Sequence, residues 1–216
     1  MTMLPPRTPA AVHSAGGGAW SDGFAIWHGA LPREACARAI AAMDLADAQP
    51  GRVLRRGEER HDAALRACTE HVLTPDAAAP VTAVLRQVAQ AAYRGSPALL
   101  DGPRFCRYRQ GGHFRAHRDR SHDSADSHAV RTRRLSLVCL LNDATPAFDG
   151  GALVLYLPAG HGGIRPVNAA LAAGSVIAFS SDLLHEVRPV CRGTRYSAVA
   201  WLYDVPNEES NDAQSV

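Results

Sequence analysis

Lysine is absent from this chain of 216 residues, so all 23 basic residues are arginine. They are nearly balanced by 21 acidic residues, which leaves a formal net charge of +2 at pH 7. Proteins that bind nucleic acid usually carry a strongly basic stripe, and the overall charge gives no sign of one. We therefore expect no nucleic acid partner.

Long hydrophobic runs are also absent. The N-terminal stretch lacks the apolar run of a secretory signal, and no segment approaches the length of a membrane-spanning helix. The cysteines are odd in number and form no Cys-x-x-Cys pair, so we interpret them as buried thiols in a reducing compartment. These features predict a soluble, cytoplasmic protein without a membrane partner. The five cysteines are Cys36, Cys68, Cys106, Cys139 and Cys191.

The length suits a single β-barrel or β-sandwich domain. Residues 1–20 are rich in Pro, Ala and Gly, and residues 205–216 are polar, so both segments are predicted to be disordered. One domain over residues 21–204 remains. Within it we expect helical support over about 31–95 and a β-rich core over about 104–204.

Two stretches show apolar residues at helical spacing. One runs from Leu31 to Met43 behind Pro32, and the other runs from Pro80 to Tyr93. Both are predicted to be helices that brace one face of a sheet.

The most informative motif is His117-Arg118-Asp119, which is followed much later by His185. Residues i and i+2 of a β-strand point to the same face, so His117 and Asp119 can share a metal ion while Arg118 points away. Two imidazoles and one carboxylate suit a non-haem ferrous ion with open coordination positions. A His-x-Asp pair alone is more often a solvated turn, so the surrounding residues decide the interpretation.

Several further motifs surround this pair in a fixed order. Together they resemble the iron(II)- and 2-oxoglutarate-dependent dioxygenases, and specifically the prolyl 4-hydroxylase-like branch. The resemblance covers about residues 105–203. The motifs are Tyr108, the turn Gly111-Gly112, His117-x-Asp119, a strand ending Leu141-Asn142, Gly150-Gly151, Gly174-x-x-x-x-Phe179, His185-x-Val187-x-Pro189-Val190, Gly193-x-Arg195 and Trp201.

The resemblance implies that His117, Asp119 and His185 bind iron. It also implies that Arg195, ten residues after His185, pairs with the distal carboxylate of 2-oxoglutarate. A guanidinium suits that role because it is planar, always charged and able to bind a carboxylate through two hydrogen bonds. Tyr108 corresponds to a tyrosine that lines the cosubstrate pocket of the family, although an ordinary core aromatic would fit the same position.

The implied fold is mainly β, a double-stranded β-helix or cupin-like jelly-roll with N-terminal helices. The implied cofactors are Fe(II), 2-oxoglutarate and O2, with ascorbate in a supporting role. The implied reaction hydroxylates an unactivated C–H bond and releases succinate and CO2. We expect a peptide or small-molecule substrate, and in first place a peptidyl or free amino acid. Asp119 argues against halogenation, because halogenating relatives carry a small residue at that position.

The sequence departs from the family at one pocket position. Some relatives carry a second pocket tyrosine near the position of Leu140, so the residues that support Arg195 are not assigned from the sequence. Trp201 matches a tryptophan of the family, although packing alone would also explain a large aromatic residue in a barrel strand.

Arginines are concentrated around the metal motif. They favour an anionic substrate, although solvated outward-facing side chains are the alternative interpretation. They are Arg104, Arg107, Arg109, Arg115, Arg118, Arg120, Arg131, Arg133 and Arg134.

Two polar segments flank the predicted core. Residues 52–70 correspond to a flap of the family in which Asp62 and Arg66 would touch substrate, or else to a solvated helix. Residues 120–134 are predicted to be a mobile lid, with a second metal site as the alternative. The residues considered for that second site are His122, Asp123, Asp126 and His128.

Three other functions are kept as alternatives. The first is a 2-oxoglutarate oxygenase of small metabolites or natural products. The second is a metallo-cupin that is not an oxygenase, but such a site does not need the guanidinium of Arg195. The third is an interaction module with a vestigial site, which the presence of all three ligand residues disfavours.

Overall fold

The computed structural model describes Trp20 and residues 23–95 and 98–205. The segments predicted to be disordered, 1–20 and 205–216, lie outside these residues apart from Trp20 and Val205 at their inner ends. No helix in the described ranges is long and apolar enough to span a membrane.

Strands predominate in the described part of the chain. The helices are Arg33–Leu45 (α1), Pro75–Ala92 (α2), His128–Arg131 (α3) and Ala144–Ala147 (α4), with a 3-10 turn at Gly160–Gly162. The strands are Phe24–Trp27 (β1), Ala48–Pro50 (β2), Arg52–Arg55 (β3), Glu58–His61 (β4), Arg66–Ala67 (β5), Thr69–His71 (β6), Ala98–Tyr108 (β7), His113–His117 (β8), Arg133–Leu140 (β9), Phe148–Gly150 (β10), Leu153–Pro158 (β11), Ile164–Asn168 (β12), Val176–Ser180 (β13), His185–Val187 (β14), Val190–Gly193 (β15) and Arg195–Asp204 (β16).

The described strands form two main antiparallel sheets. The larger sheet has the order β1-β13-β9-β16-β7-β6-β2, and the smaller sheet has the order β12-β11-β14-β8-β5. Apart from the pairs β6-β7 and β11-β12, the neighbours in these two sheets are not consecutive in sequence, as expected of a jelly-roll. The mainly β, double-stranded β-helix fold with N-terminal helices is therefore confirmed.

Strand β9 shows how the layers are built. Leu137 and Cys139 pack with the helices, whereas Val138 and Leu140 belong to a second apolar cluster between the two sheets. A strand buried on both faces has a nearly continuous hydrophobic sequence, as this one does. The larger sheet is thus the middle layer, with α1 and α2 on one side and the smaller sheet on the other.

Helix α2 begins earlier than the sequence predicted. The side chain of Thr74 accepts a hydrogen bond from the backbone N–H of Ala77, and Pro75 occupies the first helical position. Both features are typical of a helix start. The prediction placed the start at Pro80, but Pro80 lies inside the helix.

The segment 52–70 is not a helix. Strands β3 and β4 form a hairpin, β5 extends the smaller sheet and β6 extends the larger one. At the hairpin tip, Gly57 donates its backbone N–H to the Asp126 carboxylate over 2.6 Å. The hairpin therefore touches the 120–134 insertion, while the Asp62 carboxylate accepts backbone N–H groups of its own turn.

Among the described residues, only His117, Asp119 and His185 form a group of three convergent ligand residues, so the alternative of a second metal site in the insertion gains no support. His122 pairs with the Asp182 carboxylate over 3.2 Å, and His128 contacts the backbone oxygen of Asp204. Each of these imidazoles contacts a neighbouring loop or strand instead.

All five cysteines are free, but they do not share one environment. Cys36, Cys106 and Cys139 are buried as predicted. Cys68 is partly exposed and Cys191 is exposed, so the prediction of five buried thiols is wrong for these two.

Candidate metal centre

A β-bulge in β8 turns His117 toward the interior. Phe114 pairs with Val187 and His117 pairs with His185, so the register of β8 against β14 shifts between the two pairs. Arg115 and Ala116 lie in the bulge and are exposed, whereas Phe114 packs on the apolar cluster between the sheets. Bulges commonly redirect side chains beside active sites.

Asp119 lies beyond the end of β8 and completes a group of three ligand residues. Its backbone N–H donates to the carbonyl of Ser181 over 3.1 Å. The separation between Asp119 Oδ1 and His117 Nε2 is 3.5 Å, and that between Asp119 Oδ2 and His185 Nε2 is 3.4 Å. One ligand atom from each residue lies within 4.8 Å of the others, so the predicted set is brought together.

The other nitrogen of each imidazole is held by the backbone. His117 Nδ1 lies 2.8 Å from the carbonyl of Arg115, and His185 Nδ1 lies 2.8 Å from the carbonyl of Leu183. A carbonyl only accepts hydrogen bonds, so each Nδ1 carries a proton. When the ring is neutral, Nε2 therefore has the lone pair that a metal would bind.

Arg195 and Tyr108 line the same cavity as the three ligand residues. Arg195 is 2% exposed, and its Nη1 donates to the hydroxyl of Ser197 over 2.9 Å. Its Cζ lies 5.3 Å from the centroid of the Tyr108 ring. No carboxylate in the described residues forms an ion pair with Arg195. The cavity thus contains a buried cation without a counter-ion, and Ser197 is a support that the sequence left unassigned.

Residues 103–203 match the protein family described as the 2OG-Fe(II) oxygenase superfamily. The match contains all five candidate residues of the cavity. The matched residues make up just under half of the chain, and over that range the chain is similar to this superfamily. The similarity implies Fe(II), 2-oxoglutarate and O2 as cofactors.

Among relatives in sequence are several PKHD-type hydroxylases. One from Delftia acidovorans is 31% identical over 109 residues, which are 50% of this chain and 46% of that protein. One from Shewanella oneidensis is 37% identical over 113 residues, or 52% and 47% of the two chains. One from Stutzerimonas stutzeri is 28% identical over 181 residues, or 82% and 77%. The chain thus spans just under half the length of the first two relatives.

Solved prolyl hydroxylases share the fold. A prolyl-4-hydroxylase of Pseudomonas putida superposes with a TM-score of 0.60 at 23% identity, over 85% of this chain and 94% of that one. A Trichoplax adhaerens prolyl hydroxylase, in complex with a peptide fragment of the hypoxia inducible factor oxygen degradation domain, gives a TM-score of 0.67 at 17% identity, over 85% and 84%.

The donor set suits the ferrous ion of a 2OG-Fe(II) oxygenase. Burial by itself opposes ionisation of Asp119, but the neighbouring His185 and His117 lower the pKa of this carboxyl well below its usual range. Burial and the nearby His185 lower the pKa of His117. Burial also opposes a charge on His185, but the Asp119 carboxylate outweighs it and raises the pKa of that imidazole. A metal binds neutral imidazoles and an ionised carboxylate, so the shifts favour the binding forms of His117 and Asp119, while a bound metal would displace a proton from His185.

Two serines that support Asp119 were missed in the sequence. The Ser136 hydroxyl donates to Asp119 Oδ2 over 2.6 Å and lies 3.0 Å from the Ser181 hydroxyl. Ser136 is 1% exposed and lies on β9, whose other inward-facing side chains, Val138 and Leu140, are apolar. A serine at an inward position of an otherwise apolar strand was the signal that would have identified it.

An open cleft of about 690 Å³ lies in front of the three ligand residues. His117 and Asp119 form part of its wall, whereas His185, Arg195 and Tyr108 line only the inner cavity. Of the arginines around the metal motif, those that line the cleft are Arg104, Arg115, Arg118, Arg120 and Arg133, and Arg52 and Arg66 join them.

Replacing Ser136 by alanine should weaken Fe(II) binding by about 10- to 100-fold, because the variant removes a hydrogen bond that orients a ligand carboxylate. Ser175→Ala is the matched control, since Ser175 is equally buried and its hydroxyl has no hydrogen-bond partner among the described residues. Anaerobic Fe(II) titration would measure both affinities. Equal affinities for the two variants would exclude a role of Ser136 at the centre.

Proposed function

We propose that the protein is an Fe(II)- and 2-oxoglutarate-dependent dioxygenase that hydroxylates an unactivated C–H bond of a peptidyl or free amino acid. His117, Asp119 and His185 hold the iron, and Arg195 and Tyr108 hold the cosubstrate. The observation that carries this proposal is the shared cavity. It contains three converging ligand atoms together with a buried guanidinium that has no counter-ion.

When bound, iron and 2-oxoglutarate supply the oxidative chemistry, in which the cosubstrate becomes succinate and CO2. The two histidines and Asp119 would hold the metal through three ligand atoms, which is the donor set of ferrous sites with open coordination positions. Arg195 binds the distal carboxylate through charge-assisted hydrogen bonds. Phe114, Val187 and Leu153 line the same cavity and keep water away from the reacting groups.

The activities named for the similar proteins favour an amino acid or a peptide as substrate. The relatives in sequence are PKHD-type hydroxylases, and the similar solved structures are prolyl hydroxylases, one of them in complex with a peptide. Arg195 argues against a metallo-cupin without oxygenase chemistry, because such a site gains nothing from a buried cation beside the metal. A cytoplasmic location and a supporting role for ascorbate stay predictions.

The charge of the outer cleft supports an anionic group on the substrate. Seven arginines line it, against four acidic residues, one of which is the ligand Asp119. Arg104 pairs with Glu59, and Arg133 pairs with Asp101. By contrast, Arg115 donates to the carbonyl of Ala64 and Arg118 to that of Asp182. Neither of these two guanidiniums pairs with a carboxylate in the described structure.

Arg195→Leu should raise the 2-oxoglutarate concentration needed for half-maximal chelate formation by about tenfold or more, because a charged hydrogen-bond partner is lost. Arg192→Leu on exposed β15 is the matched control and should leave that concentration unchanged. Anaerobic titration of the Fe(II) protein with 2-oxoglutarate measures the effect. An unaltered midpoint for Arg195→Leu would remove this residue from the cosubstrate pocket.

The anionic substrate is tested with paired amino acids and peptides that carry a carboxylate or the matching carboxamide. Succinate release should be faster with the carboxylates. The double variant Arg115→Gln/Arg118→Gln should raise KM for the carboxylates alone, by about tenfold for one lost charged contact. Arg38→Gln on α1 is the control for general charge. If the wild type prefers the carboxamides, the anionic substrate is wrong while the oxygenase activity stands.

A further inference from the structure

The inner cavity contains a second buried guanidinium, that of Arg66. This residue lies on β5, at the edge of the smaller sheet, and is 5% exposed. It lines the same cavity as Arg195, Tyr108 and the three ligand residues. A buried arginine is costly unless its charge and its donors are compensated, so its contacts show whether packing alone explains it.

The protein provides hydrogen-bond partners for only some of the N–H donors of this guanidinium. Nη1 of Arg66 donates to the carbonyl of Arg52 over 2.8 Å and lies 2.5 Å from the Glu70 carboxylate. Nη2 reaches only the thiol of Cys106, at 3.3 Å, which is a weak acceptor. Nε is buried without a hydrogen-bond partner among the described residues. Nη2 can therefore accommodate a stronger acceptor.

The position of Arg66 differs from that of Arg195. Arg66 lines both the outer cleft and the inner cavity, whereas Arg195 lines only the inner cavity. The Arg66 Cζ lies 4.8 Å from the centroid of the Phe114 ring. That ring stacks on the imidazole of His117 with 3.5 Å between centroids. Arg66 is thus on the metal side of the cavity.

The geometry points to Arg66 as a second cosubstrate-binding residue, which faces the 2-oxo acid end of 2-oxoglutarate while Arg195 holds the distal carboxylate. This inference rests on the proposed function. The two guanidiniums approach the cavity from different sheets, since Arg66 lies on β5 of the smaller sheet and Arg195 on β16 of the larger one.

A purely structural ion pair between Arg66 and Glu70 is the competing explanation, and the two explanations predict different effects on binding. If Arg66 only pairs with Glu70, removal of either charge should perturb the protein in the same way. If Arg66 binds the cosubstrate, loss of the guanidinium weakens 2-oxoglutarate binding. Loss of the Glu70 carboxylate leaves a less compensated cation and does not weaken it.

The experiment measures the Kd of 2-oxoglutarate for the anaerobic Fe(II) protein by calorimetry, for the wild type, Arg66→Met, Arg66→Lys and Glu70→Gln. We expect Arg66→Met to raise Kd by about tenfold or more, which corresponds to one charge-assisted hydrogen bond. Arg66→Lys should give a smaller increase, since an ammonium keeps the charge without the planar fork. Glu70→Gln should leave Kd unchanged or lower it.

Thermal unfolding of each variant shows whether it is folded. If Arg66→Met does not fold, Arg66→Lys and Glu70→Gln decide the question by the same comparison. Equal Kd values for all variants, or equal increases for Arg66→Met and Glu70→Gln, would overturn the inference. A wild type that binds no 2-oxoglutarate would instead refute the proposed function itself.

2-Oxobutyrate, which lacks the distal carboxylate, tests which end Arg66 faces. Arg66→Met should weaken the binding of 2-oxoglutarate and 2-oxobutyrate by the same factor. Arg195→Leu should weaken mainly the binding of 2-oxoglutarate. It should therefore reduce the preference of the protein for 2-oxoglutarate over 2-oxobutyrate. If Arg66→Met weakens the binding of 2-oxoglutarate but not that of 2-oxobutyrate, Arg66 faces the distal carboxylate, and its assignment to the metal side of the cavity is wrong.

Discussion

The carboxylate of Asp119, held between two imidazoles at the open end of the jelly-roll, is the interaction on which the rest of the site depends. Its two oxygens lie 3.5 Å and 3.4 Å from the Nε2 atoms of His117 and His185. Three separate pieces of chain must end at the same place for this to occur. The bulge in β8, the start of β14 and the inward-facing Ser136 on β9 each contribute one of the required positions.

Charge balance explains why the cavity is arranged as it is. A ferrous ion bound to one carboxylate retains one positive charge, and Arg195 adds another at the far side of the cavity. The proposed dianionic 2-oxo acid would neutralise both charges, and a buried cation without a counter-ion is costly in the absence of such a ligand. Burial lowers the pKa of Arg195, which is the physical sign of this cost.

Residues recognised by short local motifs could be predicted from the sequence. His117, Asp119, His185 and Arg195 each belong to a motif that follows the order of a known family, and the strands around them show clear apolar patterns. The prediction that His117 and Asp119 alternate along one strand is wrong, because β8 ends at His117 and a bulge precedes that residue. The two side chains nevertheless converge as expected.

Structural features that depend on contacts between residues far apart in the sequence were harder to predict. Ser197 supports Arg195 from a strand in which the serine has no distinctive signal in the sequence. Ser136 interrupts an apolar strand, but its partner Asp119 is 17 residues away along the chain. Arg66 was expected in a flap over the site, whereas the pairing of β5 with β8 that brings it to the cavity was not predicted. The hairpin of β3 and β4 was considered as a solvated helix because its charged residues carry no period that distinguishes a strand from a helix. The start of helix α2 was misplaced at Pro80 for a different reason, since Thr74 followed by Pro75 is a helix-start signal that the sequence itself contains.

The most direct test of the account is the anaerobic addition of Fe(II) and then 2-oxoglutarate to the purified protein, followed by absorption spectroscopy in the visible range. We predict a weak charge-transfer band of the iron chelate of 2-oxoglutarate in the wild type and no such band in the Asp119→Ala variant. Tight iron binding by the wild type without this band would contradict the account, because the cavity would then hold a metal but not the cosubstrate.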